Sequence, residues 1–199
     1  MDKVTVYGPE HFAPRPDAQE AFGWLGCGED TPCHAVFREA WPAAVRLLRA
    51  DAGPRAASAE HGDLLTVFLT LGPEPEKRVD SLFERQAYVL ASLLNTLCDQ
   101  MLFQMNHTFS EMLRRELNAE GRYMADRLEP GEGFLPEAQR LRFAPLREAF
   151  PEARISGSGI LTPAKSMMYC VRISGHVCDE TMLHDCSKCS QKNCLYRKI

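Results

Sequence analysis

The sequence predicts an α+β fold in which a twisted, mostly antiparallel sheet packs on one long central helix, with a cysteine-rich tail at the C-terminus. Residues 77–119 contain neither proline nor glycine. Within them Val79, Phe83, Ala87, Leu90, Leu94, Leu97, Met101, Met105, Phe109 and Met112 recur at steps of three and four, the spacing of one helix face. Residues 64–71, 155–161 and 168–173 are apolar or alternating runs of strand length, and they supply the predicted sheet. Four of the eight cysteines, Cys178, Cys186, Cys189 and Cys194, crowd into the last stretch.

A chain of 199 residues can build one sizeable core, or one domain with an appendage. The organisation expected is a helical and loop segment over 1–60, the α+β domain over 61–175 and the tail over 176–199. With 45% hydrophobic and 25% charged residues the composition is that of a globular chain. A formal charge of -4 and no stripe of Lys and Arg interleaved with aromatics argue against a nucleic-acid partner. The first residues lack a basic n-region and an apolar h-region, and no apolar run reaches the roughly 18 residues of a membrane span. The expectation is a cytoplasmic protein with no membrane association.

In chain order, residues 4–7 form a short β-branched and aromatic run, a candidate strand. Residues 14–16 and 23–28 are rich in turn formers and read as loop. Residues 33–50 keep helical spacing through Val36, Phe37, Ala40, Val45, Leu47 and Leu48, with Pro42 as a kink or restart. Residues 51–62, rich in Ala, Gly, Ser and Pro, read as a linker. The run at 64–71 stops at Gly72-Pro73, and the short, turn-bounded run predicts a buried strand. An unbroken helix over 77–119 would be about 60 Å long. Its methionines read as adaptable core filling and His107 as a polar-edge residue. Gly121 ends it, and residues 123–127 lead into a Pro130-Gly131 bend. Pro136 suits a first helical turn, with Leu141, Phe143, Leu146 and Phe150 as the apolar face that follows. Residues 162–166 then become the turn of a strand pair.

Cys178-x7-Cys186-x2-Cys189-x4-Cys194 offers four thiols in a short polar tail. A Cys-x2-Cys pair brings two thiolates to one metal from a tight turn, and two more complete a tetrahedral set. In a reducing compartment such crowding points to a metal centre more than to a disulfide framework. Thiolates do not separate zinc from iron, so the centre is an iron-sulfur cluster or zinc.

The bend carries the second candidate site. Arg127 precedes Pro130-Gly131, and a planar guanidinium beside such a bend suits a carboxylate, whose two oxygens it can bind at once. Arg127-x-x-Pro130-Gly131, followed by a strand ending in Pro163-x-x-Ser166, resembles the activation (reactivation) domain of vitamin B12-dependent methionine synthase. It looks closest to the short, free-standing forms with a cysteine-rich C-terminal tail. The resemblance covers 60–199 and is strongest over 127–166. It implies that Arg127 and Gly131 match the family's Arg-x-x-x-Gly-Tyr motif, whose arginine holds the carboxylate of S-adenosylmethionine. It further implies that the turn from Pro163 to Ser166 faces the corrinoid or its protein. Glu132 stands where the family has tyrosine, and Tyr169 is shifted from the positions of the aromatics that contact the cofactor, which Val171 and Arg172 occupy.

Two readings follow. In the first the chain is an accessory reactivation component that supports S-adenosylmethionine-dependent reductive methylation of cobalamin carried by a separate methionine synthase or corrinoid methyltransferase. In the second it is a non-enzymatic, metal-bearing adaptor on the same fold that has lost the cofactor.

Overall fold

The computed structural model describes residues 3–13, 15–130 and 134–178. The apolar run forms β3 (Leu64–Thr70), buried along almost its whole length. Strand β2 (Arg55–His61) lies antiparallel to it, joined through the two-residue turn Gly62-Asp63, where Gly62 supplies a φ of 64°. Strand β1 (Lys3–Tyr7) closes that edge, while β7 (Ser166–Ser174) and β4 (Tyr123–Leu128) continue the other side in the order β1-β2-β3-β7-β4, with every pair antiparallel. The linker expected over 51–62 is thus a strand. Its Ala56, Ala57, Ser58 and Ala59 carry no strand-favouring side chains, but both faces of the sheet are covered here and small residues are what fit.

Helices α1 (Ala18–Trp24), α2 (Cys33–Asp51), α3 (Glu74–Glu84) and α4 (Tyr88–Ala119) account for the main core. Leu94, Leu97, Met101, Met105 and Phe109 of α4 are buried with Leu65, Val67, Leu69, Tyr169 and Val171 of the sheet. Helix α2 runs through Pro42. Helix α1 occupies part of the region that reads as loop, its N-terminus capped by Asp17, which accepts from the Glu20 amide at 3.0 Å. Cys27 and Cys33 are joined by a disulfide that ties the end of α1 to the start of α2. No described helix is long and apolar enough to cross a membrane.

The continuous helix expected over 77–119 is two helices. The Ala87 amide donates to Leu82 O and the Gln86 amide to Phe83 O, both at 2.9 Å, the reverse-turn pattern of a Schellman stop, with Gln86 at φ 60° in the left-handed position. The same pattern closes α4, where the Arg122 and Gly121 amides donate to Leu117 O and Asn118 O, but there the left-handed residue is Gly121. A glutamine carries no stop signal, and the apolar register resets at the break, leaving Phe83 exposed. Gln86→Gly is expected to raise stability by about 0.5 to 1 kcal/mol, read from the urea midpoint, because a side chain in that conformation costs energy that glycine avoids.

On the opposite face of the sheet, α5 (Pro136–Phe143) and the turns after it bury Phe143, Leu146 and Phe150 against Phe68, Met168 and Ala57. Leu141 departs from that expected apolar face and is exposed. The strand expected over 155–161 is also corrected. β5 (Arg154–Ile155) and β6 (Leu161–Thr162) make a separate two-stranded sheet, because Ser156 turns the chain back by accepting from the Ile160 amide through its hydroxyl. Residues 162–166 therefore join two sheets and are not the turn of a strand pair.

Candidate functional site

Strand β4 carries one extra residue opposite β7. Met124 pairs with Ile173, but Arg127 pairs with Val171, so the ladder slips by one between Met124 and Arg127. An uninterrupted strand would point residues an odd number apart to opposite faces. The bulge instead turns Arg127 to the same face as Met124, towards α4. There its guanidinium lies flat over Tyr169, the residue two before Val171 on β7, with Cζ 3.7 Å from the ring centroid.

The edges of the guanidinium are engaged as well. Nε donates to Glu129 Oε1 at 2.9 Å, Nη1 to Asn106 Oδ1 of α4 at 3.2 Å, and Nη2 faces Met167 Sδ at 3.7 Å. The Arg127 side chain is 8% exposed and that of Glu129 26%. Glu129 reaches the arginine because residues two apart in extended chain share a face. Below, the Tyr169 hydroxyl shares a hydrogen bond with Ser110 of α4 at 3.1 Å. Burial pushes the Tyr169 hydroxyl pKa up, against the opposing pull of Arg127 and the Ser110 bond.

Pro163 and Ser166 lie just before and at the start of β7, with a cis bond between Thr162 and Pro163. Four contacts fasten this turn. The Ala164 amide donates to Glu76 Oε2 at 2.9 Å, the Leu71 amide to Lys165 O at 3.0 Å, Ser166 Oγ to Thr70 Oγ1 at 2.9 Å, and Lys165 Nζ to Asp99 Oδ1 of α4 at 2.6 Å. Met167, next to Ser166, touches Arg127, so the arginine and the turn meet at one end of β7.

Gly131 and Glu132 lie outside the described residues, as do Cys186, Cys189 and Cys194 of the tail. Cys178 is half-buried, with its thiol 3.3 Å from His176 O, and among the described residues no three His, Cys, Asp or Glu side chains gather as a metal site. Cys98 and Cys170 are buried in the body, and burial pushes the Cys98 thiol up to about 12 and the Cys170 thiol up as well. Sequence reasoning missed Glu129, Asn106 and Ser110. Asn106 and Ser110, four apart on α4, were detectable as polar residues on a largely apolar helix, and both are buried. Glu129 had no such signal.

The arrangement holds one carboxylate on a planar cation with an aromatic floor. Its charge and shape suit a ligand carboxylate at Arg127, with Glu129 in that role in this structure.

No family model and no curated protein matches the chain. Its structure is similar to the crystal structure of the MetH reactivation domain bound to AdoHcy, with a TM-score of 0.50 and 12% sequence identity, covering 85% of this chain and 78% of that one. At this identity the likeness is one of architecture, and the fold of the chain resembles that of the MetH reactivation domain.

Proposed function

We propose that this chain is an accessory reactivation component that binds S-adenosylmethionine and acts on the corrinoid of a separate methyltransferase chain, such as a methionine synthase. The observation that carries this reading is the bulge in β4, which brings Arg127 over Tyr169 and beside Met167, so that the two stretches bearing the motif resemblance converge. S-adenosylmethionine would supply a methyl group to the corrinoid. Arg127 would hold the amino-acid carboxylate, Gly131 would let the ligand approach the backbone, and the turn from Pro163 to Ser166 would face the corrinoid-bearing partner. The fold likeness to a domain crystallised with AdoHcy supports the same assignment.

Calorimetry with S-adenosylmethionine on the full chain tests it. Arg127→Ala is expected to weaken binding tenfold to a hundredfold, the worth of a charge-assisted bidentate contact of about 1.5 to 3 kcal/mol, with the circular dichroism spectrum unchanged. No heat from the unaltered protein would sink the cofactor assignment.

A second reading, the metal-bearing adaptor without cofactor, is favoured by the pairing of Arg127 with Glu129 and by the arginine's burial. Both readings place a metal centre on Cys178, Cys186, Cys189 and Cys194, an iron-sulfur cluster in the electron-relay version and zinc in the structural one. Metal ligation by thiolates releases protons and orders the chain that carries them. Anaerobic purification should therefore yield iron with sulfide and a broad visible absorbance, or colourless protein with stoichiometric zinc. Protein that stays metal-free after reconstitution, with all four thiols freely alkylated, would remove the centre from both readings.

A further inference from the structure

We infer that the open edge of the main sheet at β1 pairs with β1 of a second copy of this chain, as an antiparallel two-fold dimer; the inference is independent of the functional reading above. His61 and Leu64 flank the two-residue turn Gly62-Asp63, and the pair beside such a turn exchanges both backbone bonds. Bonding direction alternates along β2, so Arg55, Ala57, Ala59 and His61 bond towards β3, and Ala56, Ser58 and Glu60 towards β1. Their partners Tyr7, Thr5 and Lys3 therefore turn their amides and carbonyls to β2, and those of Val4 and Val6 point off the sheet. Among the described residues no backbone bond outside the sheet reaches either valine.

The side chains follow the same alternation. Val4 and Val6 lie beside Ala59 and Ala57, on the face that Phe143, Leu146 and Phe150 cover. That cover ends at β2, leaving Val4 39% and Val6 52% exposed. Edge strands commonly carry charge or proline that discourages pairing, and from Val4 to Tyr7 this one carries neither.

A second copy is the occupant because β1 is complementary to itself. A two-fold axis through Thr5, normal to the sheet, sets Val4 against Val6 of the second copy and Val6 against its Val4, each pair with outward bonding groups. Thr5 meets its own copy as the non-bonded pair between them. On the α4 side, where Tyr7 packs on Phe109, Lys3 comes opposite Tyr7 of the second copy. That tyrosine hydroxyl donates to Glu116 of its own chain at 2.7 Å. Lys3 and Glu116 are both exposed, and neither has an ion pair among the described residues, so each end of the pairing brings an ammonium to a free carboxylate. Arg127 lies on β4, the opposite edge of the sheet, which the pairing leaves open.

An edge of five residues a side is small for a specific interface, so the dimer is a weak one, with half-association on the order of 100 µM. Sedimentation equilibrium of the full chain tests it, with non-reducing electrophoresis to exclude disulfide-linked dimers. The unaltered protein should pass from monomer to dimer between about 10 µM and about 1 mM. Val6→Pro, which removes only an outward amide, should raise the half-association concentration at least about tenfold with the circular dichroism spectrum unchanged. Lys3→Glu and Glu116→Lys should each stay monomeric alone. Their equimolar mixture should dimerise like the unaltered chain, because only the mixed pair has opposite charges at both ends.

An unaltered chain that stays monomeric throughout that range would overturn the proposal. So would a dimer undiminished in Val6→Pro, which would have to form through another surface. A mixture no more associated than its two components would overturn the register about Thr5.

Discussion

Tyr169→Ala is expected to lower the unfolding free energy by about 3 to 5 kcal/mol, the usual cost of truncating a fully buried aromatic side chain. Tyr169 has no exposed surface and packs in the main core. It is also the floor on which Arg127 lies and the partner of Ser110. Its loss would open a cavity beneath a buried cation and leave the Ser110 hydroxyl unpaired. Tyr169→Phe separates the contributions, because the ring and the stack remain and only the hydroxyl goes, for about 1 kcal/mol. Urea unfolding of the three proteins measures both. A cost below about 1.5 kcal/mol for the alanine variant would mean that the core closes over the site and that Arg127 does not depend on the ring.

The second large effect is expected at the turn. Asp99→Ala should destabilise by about 3 kcal/mol, because it strands the ammonium of Lys165 in a largely buried position. The pair is close, at 2.6 Å, with the lysine and aspartate side chains 13% and 16% exposed. Replacing both residues, as Asp99→Leu with Lys165→Met, should cost much less than the single change, since a pair exchanged for apolar groups leaves no charge behind. The loss should be local as well as global. The Leu71 amide, which donates to Lys165 O, should exchange its hydrogen faster in Asp99→Ala than in the double variant. Equal stability of the single and double variants would show that the charge is hydrated and the pair dispensable.

Much of the fold was legible because its signals are local. The apolar period along α4, the turn-bounded run of β3, the alternation of β7, the proline at the start of α5 and the glycine after α4 each act through side chains close in sequence. Helix α2 was legible in the same way, since a single internal proline did not interrupt its packing. The α+β class and the long helix against an antiparallel sheet followed from these alone.

Other parts depended on partners far along the chain. Strand β2, built on Ala56, Ala57 and Ala59, has almost no strand propensity, and its pairing with β1 and β3 under two covered faces decides it. The break at Gln86 and the separation of β5 and β6 from the main sheet likewise carry no strong residue signal. For the candidate site, Arg127 could be singled out from its neighbours in sequence, but its direction could not. One extra residue in β4 selects the face, and that bulge exists only in the pairing with β7. The sequence by itself therefore determined which residues are apolar, where most helices and the strongest strands run, and which arginine to watch. The tertiary structure alone decided that this arginine meets Tyr169, Asn106 and Glu129, because strand register and side-chain approach are set by long-range packing and not by local propensity.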